Sequence, residues 1–105
     1  MVRPFPFQSR LVRKPGSKLF RAVRVGPYFI SIQGSAGNYS TPREDDLGGT
    51  EYEEFEVLIP KAIMPWARNH WGESHNPASD GAFVYSYVPA SDVQDLLNWL
   101  VKQIN

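Results

Sequence analysis

His70, Glu73 and His75 are the side chains of this chain with the clearest capacity for chemistry, and their spacing argues against most of it. Imidazole and carboxylate are zinc ligands, and a histidine can serve as a general base. Helical metal pairs stand three or four residues apart, whereas His70 and His75 are five apart and do not share a helix face. No third ligand is adjacent, so no metal is expected. Nucleophilic catalysis would need a Ser or Thr beside a histidine and an orienting acid, and these two histidines are the only ones. Cysteine is absent, which removes thiolate nucleophiles, thiolate metal sites and disulfides together. The expectation is a chain that is not an enzyme and has no cofactor. A small hydrolase or nuclease with His70 or His75 as base ranks third among the readings.

Binding chemistry is better represented. Gly34 to Arg43 offers Ser35, Asn38, Ser40 and Thr41 as short hydrogen-bonding groups, Tyr39 as a stacking face and Arg43 as a planar fork for phosphate or carboxylate. Gly34 and Gly37 would let backbone approach a ligand. The segment lacks the Gly-Lys-Ser/Thr ending of a phosphate-binding loop and any dinucleotide fingerprint. Further on, Trp66 and Trp71 flank a segment rich in amphipathic groups, and tryptophans in such places are favoured interface anchors. The candidate ligand- or partner-binding residues are therefore Ser35, Asn38, Tyr39, Arg43, Trp66 and Trp71. Trp99 is a further candidate anchor, because it lies off the apolar stripe of its helix.

Charge is sorted along the chain. Residues 1–43 carry Arg3, Arg10, Arg13, Lys14, Lys18, Arg21, Arg24 and Arg43 and no acid. All eleven acids follow, seven of them within 44–56, and the net charge is zero. Two readings compete. Arg21 or Arg24 could stand opposite Glu54 or Glu56 in paired strands, each pair contributing ~1 kcal/mol at most. Alternatively Arg10, Arg13, Arg21 and Arg24 form a basic face for nucleic acid or a nucleotide. The acids of 44–56 would repel a duplex unless they faced away.

The elements that must position these groups follow from pattern. Phe5–Val12 alternates weakly, and Pro6, with Pro4 just ahead of it, suits an edge strand. Leu19–Val25 and Tyr28–Gln33 read as strands joined by a Gly26-Pro27 turn, hence an antiparallel hairpin. Tyr52–Ile59 places Phe55, Val57 and Ile59 inward and Glu54 and Glu56 outward. Pro60 and Pro65 leave room for only a short helix, about Trp66–Trp71, and Ala82–Val88 is a strand. Ser91 and Gln94 make a capping box for a C-terminal helix whose Val93, Leu96, Leu97, Leu100, Val101 and Ile104 fall on one stripe. The expected fold is one α+β domain over 1–105: a mostly antiparallel sheet of four or five strands, covered on one face by the C-terminal helix. Long loops fall at about 34–50 and 61–81. No window has the apolar length of a membrane span or a signal peptide, so a cytoplasmic protein is expected.

Three runs carry a resemblance. Ile30-Ser-Ile-Gln-Gly-Ser-Ala-Gly-Asn-Tyr-Ser-Thr-Pro-Arg43, Tyr52-Glu-Glu-Phe-Glu-Val57 and Val84-Tyr-Ser-Tyr-Val-Pro89 followed by Val93 and Leu96 resemble a group of small hypothetical proteins of bacteriophages and prophages. Asn38 and Ser40 stand where others of the group show histidine and cysteine. The resemblance implies a phage or prophage gene and no particular activity. Together with the loop, it points to a non-enzymatic binding protein that engages a host protein or sequesters a small anionic ligand such as a nucleotide. Pairing of edge strands, Phe5–Val12 in particular, gives a homodimer as one oligomeric option.

Overall fold

Strict alternation in the middle of the chain decides which side of the sheet is buried. Phe55, Val57 and Ile59 have no exposed surface, and Glu54, Glu56 and Leu58 between them lie on the other face, half-buried. The computed structural model describes residues 6–104. They form α1 (Phe7–Arg10), β1 (Val23–Val25), β2 (Tyr28–Gln33), β3 (Glu54–Ile59), α2 (Met64–Trp71), β4 (Phe83–Pro89) and α3 (Ala90–Ile104). Short 3-10 helices lie at Gly49–Glu51 and Lys61–Ile63. The strands stand in the order β1-β2-β3-β4, each neighbouring pair antiparallel. Val93, Leu96, Leu97 and Leu100 of α3 are buried in one core with Ile30, Ile32, Phe55, Val57 and Ile59 of the sheet. This is the expected α+β domain with its C-terminal helix on one face.

The ends of the chain depart from expectation in instructive ways. Phe5 lies outside the described residues, and the rest of the expected Phe5–Val12 strand begins as the helical turn α1. Phe7 is the reason: it leaves the sheet edge, buries almost completely and meets Phe55 edge to face at 5.4 Å. Pairing of two such strands across a two-fold axis therefore has no strand to use. Leu19–Val25 shortens to Val23–Val25, because Phe20 is held otherwise. Its N–H donates to Gln33 Oε1 at 2.7 Å and its carbonyl accepts from Gln33 Nε2 at 2.9 Å, so one carboxamide replaces a strand partner.

The helices also shift. α2 starts at Met64, and Pro65 sits in its first turn, where a missing N–H costs nothing. α3 starts at Ala90, whose N–H donates to the Glu53 carbonyl at 2.9 Å. Ser91 is thus inside the helix. Gln94 makes no capping box; its amide donates to Asn98 Oδ1 at 3.0 Å and its Oε1 accepts from the Phe7 N–H at 3.4 Å. Among the described residues no helix is long and apolar enough to cross a membrane.

Candidate partner-binding groove

The 34–50 stretch is pinned by the acids of the following strand. Glu56 accepts from Asn38 Nδ2 at 3.0 Å and from the Tyr39 N–H at 2.9 Å. Glu54 accepts from the Thr41 hydroxyl at 2.6 Å, and the Thr41 N–H donates to the Glu54 carbonyl at 3.0 Å. Asp45 Oδ1 accepts from the Ala36 N–H at 3.0 Å. A cluster of carboxylates that reads as a solvated face is therefore largely spent on fixing the loop.

That fixation removes two of the expected ligand contacts. Ser35 is buried, and its hydroxyl donates to Asn38 Oδ1 at 2.5 Å and accepts from the Gly37 N–H at 3.2 Å. Ser35 shapes the loop from inside, and half-buried Asn38 turns its amide oxygen to Ser35 and its nitrogen to Glu56. Gly34 serves a close approach of a different kind from that expected. A Cβ there would lie 2.8 Å from the Tyr52 ring, so the contact is to the protein's own core.

Tyr39 and Arg43 remain on the surface. The Arg43 guanidinium lies 5.1 Å from the Tyr39 ring centroid and donates to the Ala36 carbonyl at 3.2 Å. What joins them to Trp71 is Tyr87, a residue that no site motif of the sequence marks. In β4 the residues Ser86 and Tyr87 together oppose Glu56, since Phe55 pairs with Val88 and Val57 with Tyr85. This bulge puts Tyr87 at φ 53°, a left-handed conformation that costs a tyrosine roughly 1–3 kcal/mol. Its N–H donates to the Tyr39 carbonyl at 3.0 Å, and the two rings stand 5.9 Å apart. Tyr87 also forms one rim of a groove of about 310 Å³ along β4, with Trp71, His70, Tyr85, Val88 and Asp92 among its other walls. No local signal announces the bulge, because tyrosine is not a residue that favours positive φ.

Trp66 faces elsewhere. It stacks on His70 at 4.2 Å and on Trp99 at 5.5 Å, and with them lines a second recess of about 370 Å³ between α2 and α3. Trp99 is accordingly half-buried in this aromatic stack. His70 separates the two recesses, and its Nδ1 lies 2.9 Å from the Trp66 carbonyl. Among the described residues no carboxylate pairs with either histidine, and no three His, Cys, Asp or Glu side chains are grouped to hold a metal ion.

Tyr85 forms the groove's floor beside Trp71, whose ring stands 5.4 Å away. Its hydroxyl donates to the Gly72 carbonyl at 2.7 Å. Burial, with the nearby Glu73 carboxylate adding to it, raises its pKa above the ordinary phenol value; Arg68 opposes weakly. Raising the folded-state pKa of an acid stabilises the protonated fold below the unfolded value near 10 and removes that contribution as pH rises past it. Tyr85→Phe should melt lower than wild type at pH 8, by about 1 kcal/mol. The gap should close above about pH 10. Denaturation midpoints of both proteins across that range check it, and a constant gap would show that the phenol does not titrate late.

The basic face divides on inspection. Arg13 is not available to a ligand. Its Nη1 donates to the Lys18 carbonyl and, at 3.0 Å, to the Gly34 carbonyl; its Nη2 reaches the Leu47 carbonyl at 2.8 Å and the Tyr52 hydroxyl at 3.0 Å. Phe20 lies under the guanidinium, 3.9 Å from its carbon. The expected pairing of Arg21 or Arg24 with Glu54 or Glu56 does not form, because β2 stands between β1 and β3. The halves of opposite charge meet at Lys18 instead, 3.1 Å from Asp46 and 3.8 Å from Asp45. Arg10, Arg21 and Arg24 line a recess of their own. Compared with protein-family models, curated proteins and solved structures, the chain matches none.

Proposed function

We propose that this chain is a small non-enzymatic binding protein, of phage or prophage origin as the resemblance suggests, that engages a host protein through the β4 groove and its Tyr39–Arg43 rim. The observation that carries this reading is Tyr87, a bulky residue held in a disfavoured backbone conformation and 43% exposed. Exposed strain of this kind collects at functional positions. Around it stand the aromatic types that dominate interface anchors, with Arg43 beside them. The alternative ligand, a small anion such as a nucleotide, is less well served: the groove's walls include the Asp92 carboxylate, which would oppose it.

The test is capture from the lysate of the natural host by wild type and by the double variant Tyr39→Ala/Arg43→Ala. Both side chains are exposed, so the variant should melt within a few degrees of wild type and lose a stoichiometric partner. Tyr87→Asn makes a sharper case. Asparagine tolerates positive φ, so this variant should melt no lower than wild type while losing the same partner. Unchanged capture by both variants would remove the proposal. A retained nucleotide in native mass spectra of the wild type, with no partner, would transfer the site to the small-anion reading.

A further inference from the structure

A second site is carried by residues outside the groove. Arg10 on α1, Arg21 and Arg24 border a recess of about 250 Å³ whose remaining walls are Val12, Ala22 and Val23. No acid lines it, and none occurs anywhere in residues 1–43. Arg21 makes no side-chain hydrogen bond or ion pair among the described residues. Arg24 uses only Nε, which donates to the Gly26 carbonyl at 3.2 Å, leaving its terminal nitrogens to face solvent or a ligand. Across the hairpin from Arg24 stands Phe29, 60% exposed, its ring centroid 5.8 Å from the Arg24 guanidinium carbon.

An exposed phenylalanine beside one of three arginines that line a common recess is an arrangement with a recognisable use. Guanidinium groups bind phosphate oxygens in forked geometry, and a bare aromatic face stacks on an unpaired base. We propose that this recess and Phe29 bind single-stranded nucleic acid, phosphates between the three arginines and a base on the ring. A duplex offers no free base to Phe29, and the acids of the rest of the chain leave no net charge to hold it. This narrows the basic face: Arg13 is withdrawn into the fold, and an aromatic joins the remaining three.

Fluorescence anisotropy of a labelled oligo-dT and an oligo-U against the full chain, from 50 to 200 mM salt, tests it. Three phosphate contacts predict a log–log salt slope of about −2 for a single strand. Arg21→Gln/Arg24→Gln should flatten that slope to about −0.7 and weaken binding by tenfold or more at the lowest salt. Phe29→Ala should weaken binding about tenfold at every salt and leave the slope unchanged. No binding at 50 mM salt, tighter binding of duplex than of single strand, or wild-type binding by both variants would each overturn the proposal. So would preference for anionic vesicles over the oligonucleotides. None of these outcomes depends on the β4 groove.

Discussion

Arg13→Ala should lower the stability of the fold by about 3 kcal/mol, the larger of the two strongest effects expected of any single substitution here. The guanidinium gathers the Lys18, Gly34 and Leu47 carbonyls and the Tyr52 hydroxyl, groups from four separate parts of the chain. Each hydrogen bond contributes ~1 kcal/mol, more where the donor is charged. Partial access of water to the arginine keeps the total below the plain sum. The stack on Phe20 adds to the loss, since the ring covers one face of a guanidinium whose Nε is buried with no hydrogen-bond partner. Arg13→Lys separates charge from geometry. A lysine keeps the charge but brings its donors from one point and cannot span four acceptors, so it should recover about 1 kcal/mol. Urea midpoints at constant slope measure both, and the alanine variant should melt roughly 12 °C or more below wild type. A drop under about 3 °C would mean that water replaces the guanidinium without cost.

This arginine also shows where sequence reading stops. The inward face of β3 and the stripe of α3 follow from spacing alone, because period 2 and period 3.6 are local properties of a chain. Arg13 looks the same in sequence whether it binds a phosphate or three carbonyls and a hydroxyl of its own protein; only contacts 5 to 39 residues away decide it. The same holds for Glu54 and Glu56. Their outward direction was readable from alternation, but their task of pinning Asn38, Tyr39 and Thr41 depends on a loop folding back over the strand. Among the candidate site residues, Tyr39, Arg43 and Trp71 stand out in the sequence by residue type alone. The residue that joins them was missed, because a bulge is a mismatch between two strands and is written in neither.

Charge sorting has a physical consequence that neither simple reading anticipates. The acids of 44–56 act mostly on the uncharged loop 36–41, through the Ala36 and Tyr39 N–H groups and the Asn38 and Thr41 side chains, while Lys18 pairs with Asp45 and Asp46. The result leaves Arg24 on the far strand of the sheet and Arg21 just ahead of it, away from the carboxylates that would cancel them. Segregation along the chain thus becomes segregation across the surface, with a basic recess at the β1 edge and an aromatic groove at the β4 edge.

Gly49→Ala should produce the second large loss, confined at first to one segment. A Cβ at this position would lie 2.2 Å from the Gln8 carbonyl oxygen and about 3 Å from the Leu11 side chain, and the first of these is backbone that cannot rotate away. Something must move, and α1 is the smaller body. It is held by Phe7 in the core, by the Phe7 N–H on Gln94, and by Gln8 Nε2 on the Gly49 and Tyr52 carbonyls. Displacing it exposes Phe7, whose burial contributes about 2–3 kcal/mol, so the cost should fall near that value. Hydrogen exchange should show residues 7–11 losing protection while β3, β4 and α3 keep theirs. Phe7→Ala should reproduce the loss, and the double variant should be little worse than either single one, since both remove the same contact. Additive losses would show that the alanine at 49 strains β3 directly and that α1 stays in place.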